Sequence, residues 1–288
     1  MLYAPDIDPV ALKLGPLAVH WYGLAYLAGF VLAWWFASRR ARSPHSAVRP
    51  DQVEDIIFTG ALGVILGGRF GYVVFYNFDK FVQDPLWLFR VWEGGMSFHG
   101  GTLGVMIAMA WYAYRHQLHL GKLWDFIAPL VPLGLLLGRC ANFLNQELWG
   151  RATDVPWAVV FPRTDSLLLP RHPSQLYEAL LEGLLLFVIL WAFSRRPRPT
   201  FAVGGLFLFL YGVFRFLVEF VREPDAQIGF AALGWMSRGQ ELSLPMILGG
   251  AGLIIYAFTH KETRKEAPAV ATPSAPARGK TTKGAKRA

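Results

Sequence analysis

The sequence predicts an all-α polytopic membrane protein: seven transmembrane helices with a small external head of short strands or irregular loops. Three observations predict it. Of 288 residues, 54% are hydrophobic and 15% aromatic while only 17% are charged, and the mean hydropathy is +0.34, outside the usage of an ordinary soluble domain. Apolar runs of about 20 residues, enough to cross a hydrocarbon core of roughly 30 Å as helices, recur along the chain. Charge placement is the third observation, because cytoplasmic connections carry the excess of Lys and Arg. With the N-terminus outside, the inner connections and the tail hold 17 of the 28 Lys and Arg and the outer ones hold 8. The C-terminus is then expected in the cytoplasm.

The elements follow in order. The first run, 16–37, ends on the basic turn SRRAR. Nothing in MLYAPDIDPVALKLG supplies a basic region before a small-residue cleavage site, so the first helix is expected to be retained. Runs 53–76 and 97–114 carry the glycine-rich segments GGRFGYVVFYN and GGMSFHGG. Run 123–139 leads into GRCANFLNQELWG, run 175–193 opens with RHPSQLYEALLEG, run 201–220 holds YGVFRFLVEFVREPD, and run 244–258 is the last. The connections 77–96, 140–174 and 221–243 are long enough to hold structure, and DVPWAVVFP in the second reads as a short strand or hairpin between prolines. One membrane domain, 1–260, with its head drawn from 140–174 and 221–243, is therefore expected. Residues 261–288, rich in Ala, Pro, Thr and Lys, read as a disordered basic cytoplasmic tail. Much of the formal charge of +8 sits there. No aromatics interleave with it, so it suits anionic headgroups and no nucleic acid is expected as a partner.

Arg69, Arg139 and Arg215 fall toward the outer halves of the second, fourth and sixth runs. Ionisable groups at such depth are costly and mark a functional site by default. Three fixed cations at similar depth are expected to converge on one anion. A phosphate fits best, because the guanidinium fork matches its oxygens and its charge never titrates away. Helical spacing adds neighbours: Tyr211, Arg215 and Glu219 share a face, as do Arg69, Tyr72 and Tyr76, and Arg139 precedes Asn142 by three. Taken alone, Arg215 with Glu219 reads as a structural ion pair sealing the bundle. Gln175, Glu178 and Glu182 also share a face; Glu178 is expected to hold an arginine in place, and Glu182, nearer the middle, to be protonated or paired. His172 reads as a cap or interfacial hydrogen bonder.

His99 lies among Gly94, Gly95, Gly100 and Gly101. The glycines permit a tight backbone path and close approach to another chain or a headgroup, and exposed amides at a helix start favour anions. An imidazole there suits proton transfer near neutral pH. Lone Cys140 forms no intramolecular disulfide; with no His or Asp near it in sequence, a small packed residue is the simpler reading than a nucleophile. Metal catalysis is not expected, because HExxH, CxxC and clustered His and Cys spacings are absent.

Taken in order, HWYGLAYLAGF, GGRFGYVVFYN, GGMSFHGG, GRCANFLNQELWGR, RHPSQLYEALLEG and YGVFRFLVEFVREPD resemble the motifs of the bacterial prolipoprotein diacylglyceryl transferases, from residue 6 to residue 260. The resemblance implies a cofactor-free enzyme of the inner membrane, its site toward the external leaflet and open sideways to the lipid bilayer. It would move the diacylglyceryl unit of phosphatidylglycerol to the lipobox cysteine of a preprolipoprotein signal peptide, the first step of lipoprotein maturation, releasing glycerol phosphate. By position, Arg139 and Arg215 match the family's essential arginines and His99 its HGG histidine, a proposed base. Tyr22, Glu147, Gly150, Tyr211 and Glu219 match other family positions. The resemblance implies that Arg139 holds the headgroup with Asn142 and that Arg215 stabilises the reacting phosphate or thiolate. Tyr22 and Tyr211 would then supply hydroxyls, and Glu147 and Glu219 would orient the arginines, with Arg69 the third substrate-facing cation. Cys140 and Ala141 stand where the family often has an apolar residue and glycine, which matters only if that backbone needs a positive φ.

The chief alternative is a multi-pass transporter of an anionic solute. It would need polar residues on both membrane halves, whereas inner halves such as GFVLAWWFA and LLLFVILWAF carry no charge. An intramembrane protease would need GxSxG or paired aspartates at helical spacing, and the sequence has neither.

Overall fold

The computed structural model describes residues 2–15, 17–90, 93–223 and 236–260. The expected tail, 261–288, and residues 224–235 of the expected head lie outside the described residues. The chain is mostly helical, with two small sheets. It opens with strand β1 (Leu2–Tyr3), then β2 (Val10–Leu14) paired antiparallel with β3 (Leu17–His20). The hairpin turns at Gly15, whose φ of +60° is a conformation glycine adopts at no steric cost. Helix α1 (Trp21–Ala41) therefore starts five residues later than the apolar run, because a short apolar run does not distinguish a strand from a first helical turn.

Helix α2 (Val53–Tyr76) and, after the short α3 (Phe78–Gln83), helix α4 (Phe98–Arg115) pack backbone to backbone. Gly63, Gly67 and Gly71, spaced by four, meet Gly100 and Gly104. A Cβ at Gly67 would stand 2.4 Å from the Gly100 carbonyl oxygen, and one at Gly104 2.1 Å from that of Gly63. Small residues at this spacing let membrane helices touch directly. Ser97 starts α4, its Oγ accepting from the Gly100 amide at 3.2 Å, while its own amide donates to the Gly68 carbonyl at 2.9 Å. The close approach expected of Gly100 is thus made, and its partner is α2.

Helices α5 (Leu120–Ile127) and α6 (Val131–Leu144) split the fourth apolar run, bending by 42°. Pro132 occupies the first turn of α6, where a missing N–H costs nothing. Helix α7 (Ser174–Glu178) continues through a π-helical turn (Ala179–Leu185) into α8 (Leu186–Phe193). Helix α9 (Ala202–Val218) starts on the Asp125 carboxylate of α5, which accepts from the Phe201 and Gly204 amides at 2.7 Å each. Helix α10 (Arg238–Thr259) begins with a capping box between Ser237 and Gln240. Its polar first turn explains why the apolar run located its start only at 244. A Cβ at Gly250 of α10 would stand 2.4 Å from the Phe209 nitrogen of α9.

Apolar cores form between α1, α2, α4 and α5 around Ala37, Tyr112, Leu123 and Phe126, and between α8 and α9 around Leu186, Leu190 and Val203. Among the described residues, three helices are long and apolar enough to cross a membrane: Pro50–Tyr76, Ser174–Phe193 and Arg238–Thr259. The bent α5–α6 pair makes a fourth if it is one span, and α9 is a shorter apolar helix. Outward side chains such as Phe75, Tyr114 and Leu248, 71–80% exposed, suit contact with lipid.

The strand expected in DVPWAVVFP forms as β4 (Val159–Val160), which pairs in parallel with β1. The N-terminal strand therefore joins the 140–174 connection, which the sequence did not indicate. Gln146 Nε2 donates to the Pro5 carbonyl at 3.2 Å, and the Arg163 guanidinium donates to the Ile7 carbonyl. Arg171 anchors the loop: its Nε and Nη2 donate to Asp165 at 2.6 and 3.3 Å, and its guanidinium lies 3.7 Å from the Trp149 ring centroid. The Arg171 guanidinium, with the Leu167 and Leu169 amides, holds the Asp165 carboxyl below the usual carboxylate range. Because the folded value is the lower one, the pair's stabilisation is full above about pH 4, the ordinary aspartate value, and is lost as pH falls through the folded value. Asp165→Asn is expected to cost the head roughly 3 kcal/mol at neutral pH and to remove its acid sensitivity. Amide exchange over 150–171 as a function of pH checks this; exchange identical to the parent chain would contradict it.

Candidate active site

Several of the charged side chains singled out in the sequence meet where α6, α7, the π turn and α9 come together. Glu178, with a wholly buried side chain, is the hub. Its Oε2 lies 2.9 Å from Arg139 Nε of α6, and its Oε1 lies 2.5 Å from Arg215 Nη1 of α9 and 3.8 Å from Arg222 Nη1. Glu219 takes the other side of Arg215, Oε2 to Nη2 at 3.0 Å, as the i, i+4 spacing predicts. Glu182, one helical turn beyond Glu178, lies 3.9 Å from both Arg139 Nη2 and Arg215 Nη1. Three guanidiniums and three carboxylates thus form one cluster. Arg139 and Arg215 keep 17% and 15% of their side-chain surface accessible, whereas Glu178 and Glu182 keep none. The carboxylates hold both cations in place, and part of each arginine side chain stays accessible.

Local structure explains the placement. Gly183 in the π turn admits α6 closely, since a Cβ there would lie 2.7 Å from Leu136 Cβ, which draws Arg139 toward Glu178. Asn142 is buried one turn beyond Arg139, and its carbonyl accepts from the Glu147 amide at 2.8 Å. Ala141 lies inside α6 with no positive φ, so alanine is tolerated where the family often has glycine. Gly150 packs against backbone: a Cβ would stand 2.5 Å from the Val221 carbonyl and 2.8 Å from that of His172. It bridges to Arg222 and so ties the head loop to the end of α9. His172 Nδ1 lies 3.2 Å from the Tyr177 hydroxyl, the interfacial hydrogen bond expected of it, and burial lowers the imidazole's pKa.

Not every expected residue joins the cluster. Arg69 is buried elsewhere: Nε donates to the Leu88 carbonyl at 3.0 Å, Nη2 to that of Trp87 at 2.7 Å, and Nη1 to those of Gly94 and Gly95 at 2.5 and 3.3 Å. Its plane also lies 4.6 Å from the Trp87 ring centroid. The expected convergence of Arg69, Arg139 and Arg215 is therefore corrected. Backbone carbonyls take up the Arg69 fork, and the third cation of the cluster is Arg222. Sequence reading missed Arg222 because it lies past the apolar run and past the end of α9, where its bridge to Gly150 places it. Glu147 is exposed and makes no ion pair with the arginines among the described residues; its contribution is its carbonyl, which accepts from Gln175 Nε2 at 2.6 Å. Tyr22 stands in the first turn of α1 with its ring centroid 5.2 Å from that of Tyr26. Tyr211 is half-buried on α9, stacked on Phe207 at 5.8 Å. His99 is exposed in the first turn of α4, against Phe98.

Residues 9–256 match the family model described as prolipoprotein diacylglyceryl transferase. The chain is 60% identical over 258 residues to a protein of Ectopseudomonas mendocina named phosphatidylglycerol–prolipoprotein diacylglyceryl transferase, covering 90% of this chain and 97% of the relative. It is 58% identical over 278 residues to one of the same name from Teredinibacter turnerae, covering 93% and 96%. A third of that name, from Pseudomonas paraeruginosa, is 55% identical over 267 residues, covering 93% of this chain and all of the relative. With its paired arginines anchored on a buried glutamate and this likeness running almost end to end, the chain belongs to the prolipoprotein diacylglyceryl transferase family.

Proposed function

We propose that this chain transfers the diacylglyceryl group of phosphatidylglycerol to the lipobox cysteine thiol of preprolipoproteins, the first step of bacterial lipoprotein maturation. The observation that carries the reading is the pair Arg139 and Arg215, held on one buried carboxylate with part of each side chain accessible, in a chain whose relatives bear that reaction in their names. Breaking the bond between the glyceryl carbon and the phosphate oxygen builds negative charge on the departing glycerol phosphate. Fixed cations aimed at that charge stabilise the transition state. Arg139 with Asn142 holds the headgroup, Arg215 faces the reacting phosphate, Glu219 orients Arg215, and Tyr22 and Tyr211 supply hydroxyls. His99, exposed in the first turn of α4, handles protons near the lipid.

In this reading seven spans cross the inner membrane: α1, α2, α4, the α5–α6 pair, α7 through α8, α9 and α10. The N-terminus and head lie outside, the C-terminus in the cytoplasm, and both substrates arrive sideways from the bilayer. Residues 261–288 serve as a basic anchor at the inner leaflet. Purified protein in micelles with phosphatidylglycerol and a lipobox peptide should yield a peptide heavier by one diacylglyceryl unit. An unmodified peptide, under conditions where a related enzyme works, refutes the assignment.

A further inference from the structure

Glu182 is the one carboxylate of the cluster that no guanidinium approaches closely. Glu178 is held at 2.5 and 2.9 Å and Glu219 at 3.0 Å, whereas both Glu182 oxygens stand 3.9 Å from their nearest cations. The side chain is wholly buried, and neither oxygen accepts a hydrogen bond from any described residue. A buried carboxylate in that state is costly to keep ionised, and a proton relieves the cost. Glu182 also sits at the centre of the π turn Ala179–Leu185, a distortion that recurs at functional sites. The charged and titratable groups facing it are Arg139 from α6, Glu178 from α7, Tyr211 and Arg215 from α9, and Arg222 beyond α9. Helix α8 contributes none.

We infer that Glu182 takes up the proton set free when the thiol reacts, an inference that rests on the transfer proposed above. With Glu182 in its ionised, reactive form, three arginines and three carboxylates leave the cluster formally neutral before lipid binds. In the step itself the cysteine sulfur bonds to the glyceryl carbon and the carbon–oxygen bond to phosphate breaks. The electron pair leaves on the phosphate oxygen, giving glycerol phosphate its second negative charge, and the thiol proton passes to Glu182. The total charge around the arginines is then the same before and after.

The test is kcat and KM against pH for the full chain in phosphatidylglycerol nanodiscs with a lipobox peptide. Wild-type kcat should rise along an acid limb as Glu182 ionises. Glu182→Gln should lower kcat roughly 100-fold, leave KM for the lipid nearly unchanged and flatten that limb. Glu182→Asp should keep the limb with a smaller loss. A Gln variant with wild-type kcat, or with the limb intact, overturns the inference while leaving the transfer standing; a wild-type chain that modifies no peptide refutes the transfer itself. Should the Gln variant not fold, the Asp variant decides, and loss of its limb overturns the role of Glu182.

Discussion

Arg215→Ala is expected to lower turnover by roughly 10³-fold, and Arg139→Ala by a similar factor. In the proposed reaction each removes a cation that meets charge developing only as the phosphate leaves. The structure adds a second consequence. Arg215 is the 2.5 Å partner of Glu178 and the 3.0 Å partner of Glu219, so its loss strips compensation from two buried carboxylates. Breaking a buried pair from one side costs about 3–5 kcal/mol, and part of the loss in the alanine variant will be loss of folded protein. Arg215→Lys separates the two effects. It keeps the charge but not the two-pronged fork, and is expected to restore most of the stability while turnover stays about 100-fold low. Peptide mass analysis gives the rate, and thermal melting of the same preparations gives the folded fraction. Near-normal rates in both alanine variants would refute the phosphate-stabilising role.

Gly104→Val is expected to abolish assembly of the bundle. A Cβ at that position would lie 2.1 Å from the Gly63 carbonyl oxygen and 2.8 Å from Gly67 Cα. Both are backbone atoms, so no side chain can swing away, and α2 and α4 must separate along their closest contact. The displacement also pulls on Gly68, whose carbonyl holds the Ser97 amide at the start of α4, next to His99. Gly249→Ala is the matched control, because its added methyl meets nothing within 4 Å and should stay within about 0.5 kcal/mol of the parent. Size-exclusion profiles of detergent extracts distinguish them. A monodisperse, stable Gly104→Val protein would show that the helices do not touch as described.

Much of the site was legible in the chain because it rests on helical spacing. Arg215 with Glu219, Glu178 with Glu182, and Arg139 with Asn142 are each set by positions three or four apart, and the structure keeps each on one face. Arg69 met the same criteria as the other two arginines, yet its fork is filled by the carbonyls of residues 87, 88, 94 and 95. A returning loop that supplies carbonyls leaves no mark in residue type, since every residue carries one. Glu147 lies in the most distinctive motif and still stands apart from the arginines, because the chain reverses after α6 and presents its carbonyl. The N-terminal strand escaped notice for a related reason: two residues paired with a strand more than 150 positions away have no periodicity of their own.

The sequence by itself determined that this is a membrane protein, which side chains share a helical face, and to which family the chain belongs. These are properties of run length, spacing and motif order, all readable in one dimension. Tertiary structure decided that Glu178 joins Arg139 to Arg215, that Arg222 replaces Arg69 beside them, and that Glu182 stands 3.9 Å from both without a hydrogen bond from any described residue. Those outcomes depend on how far each helix is rotated and how deeply it sits against its neighbours. Packing at Gly183, Gly67 and Gly104 sets both, and periodicity along a single helix does not contain them.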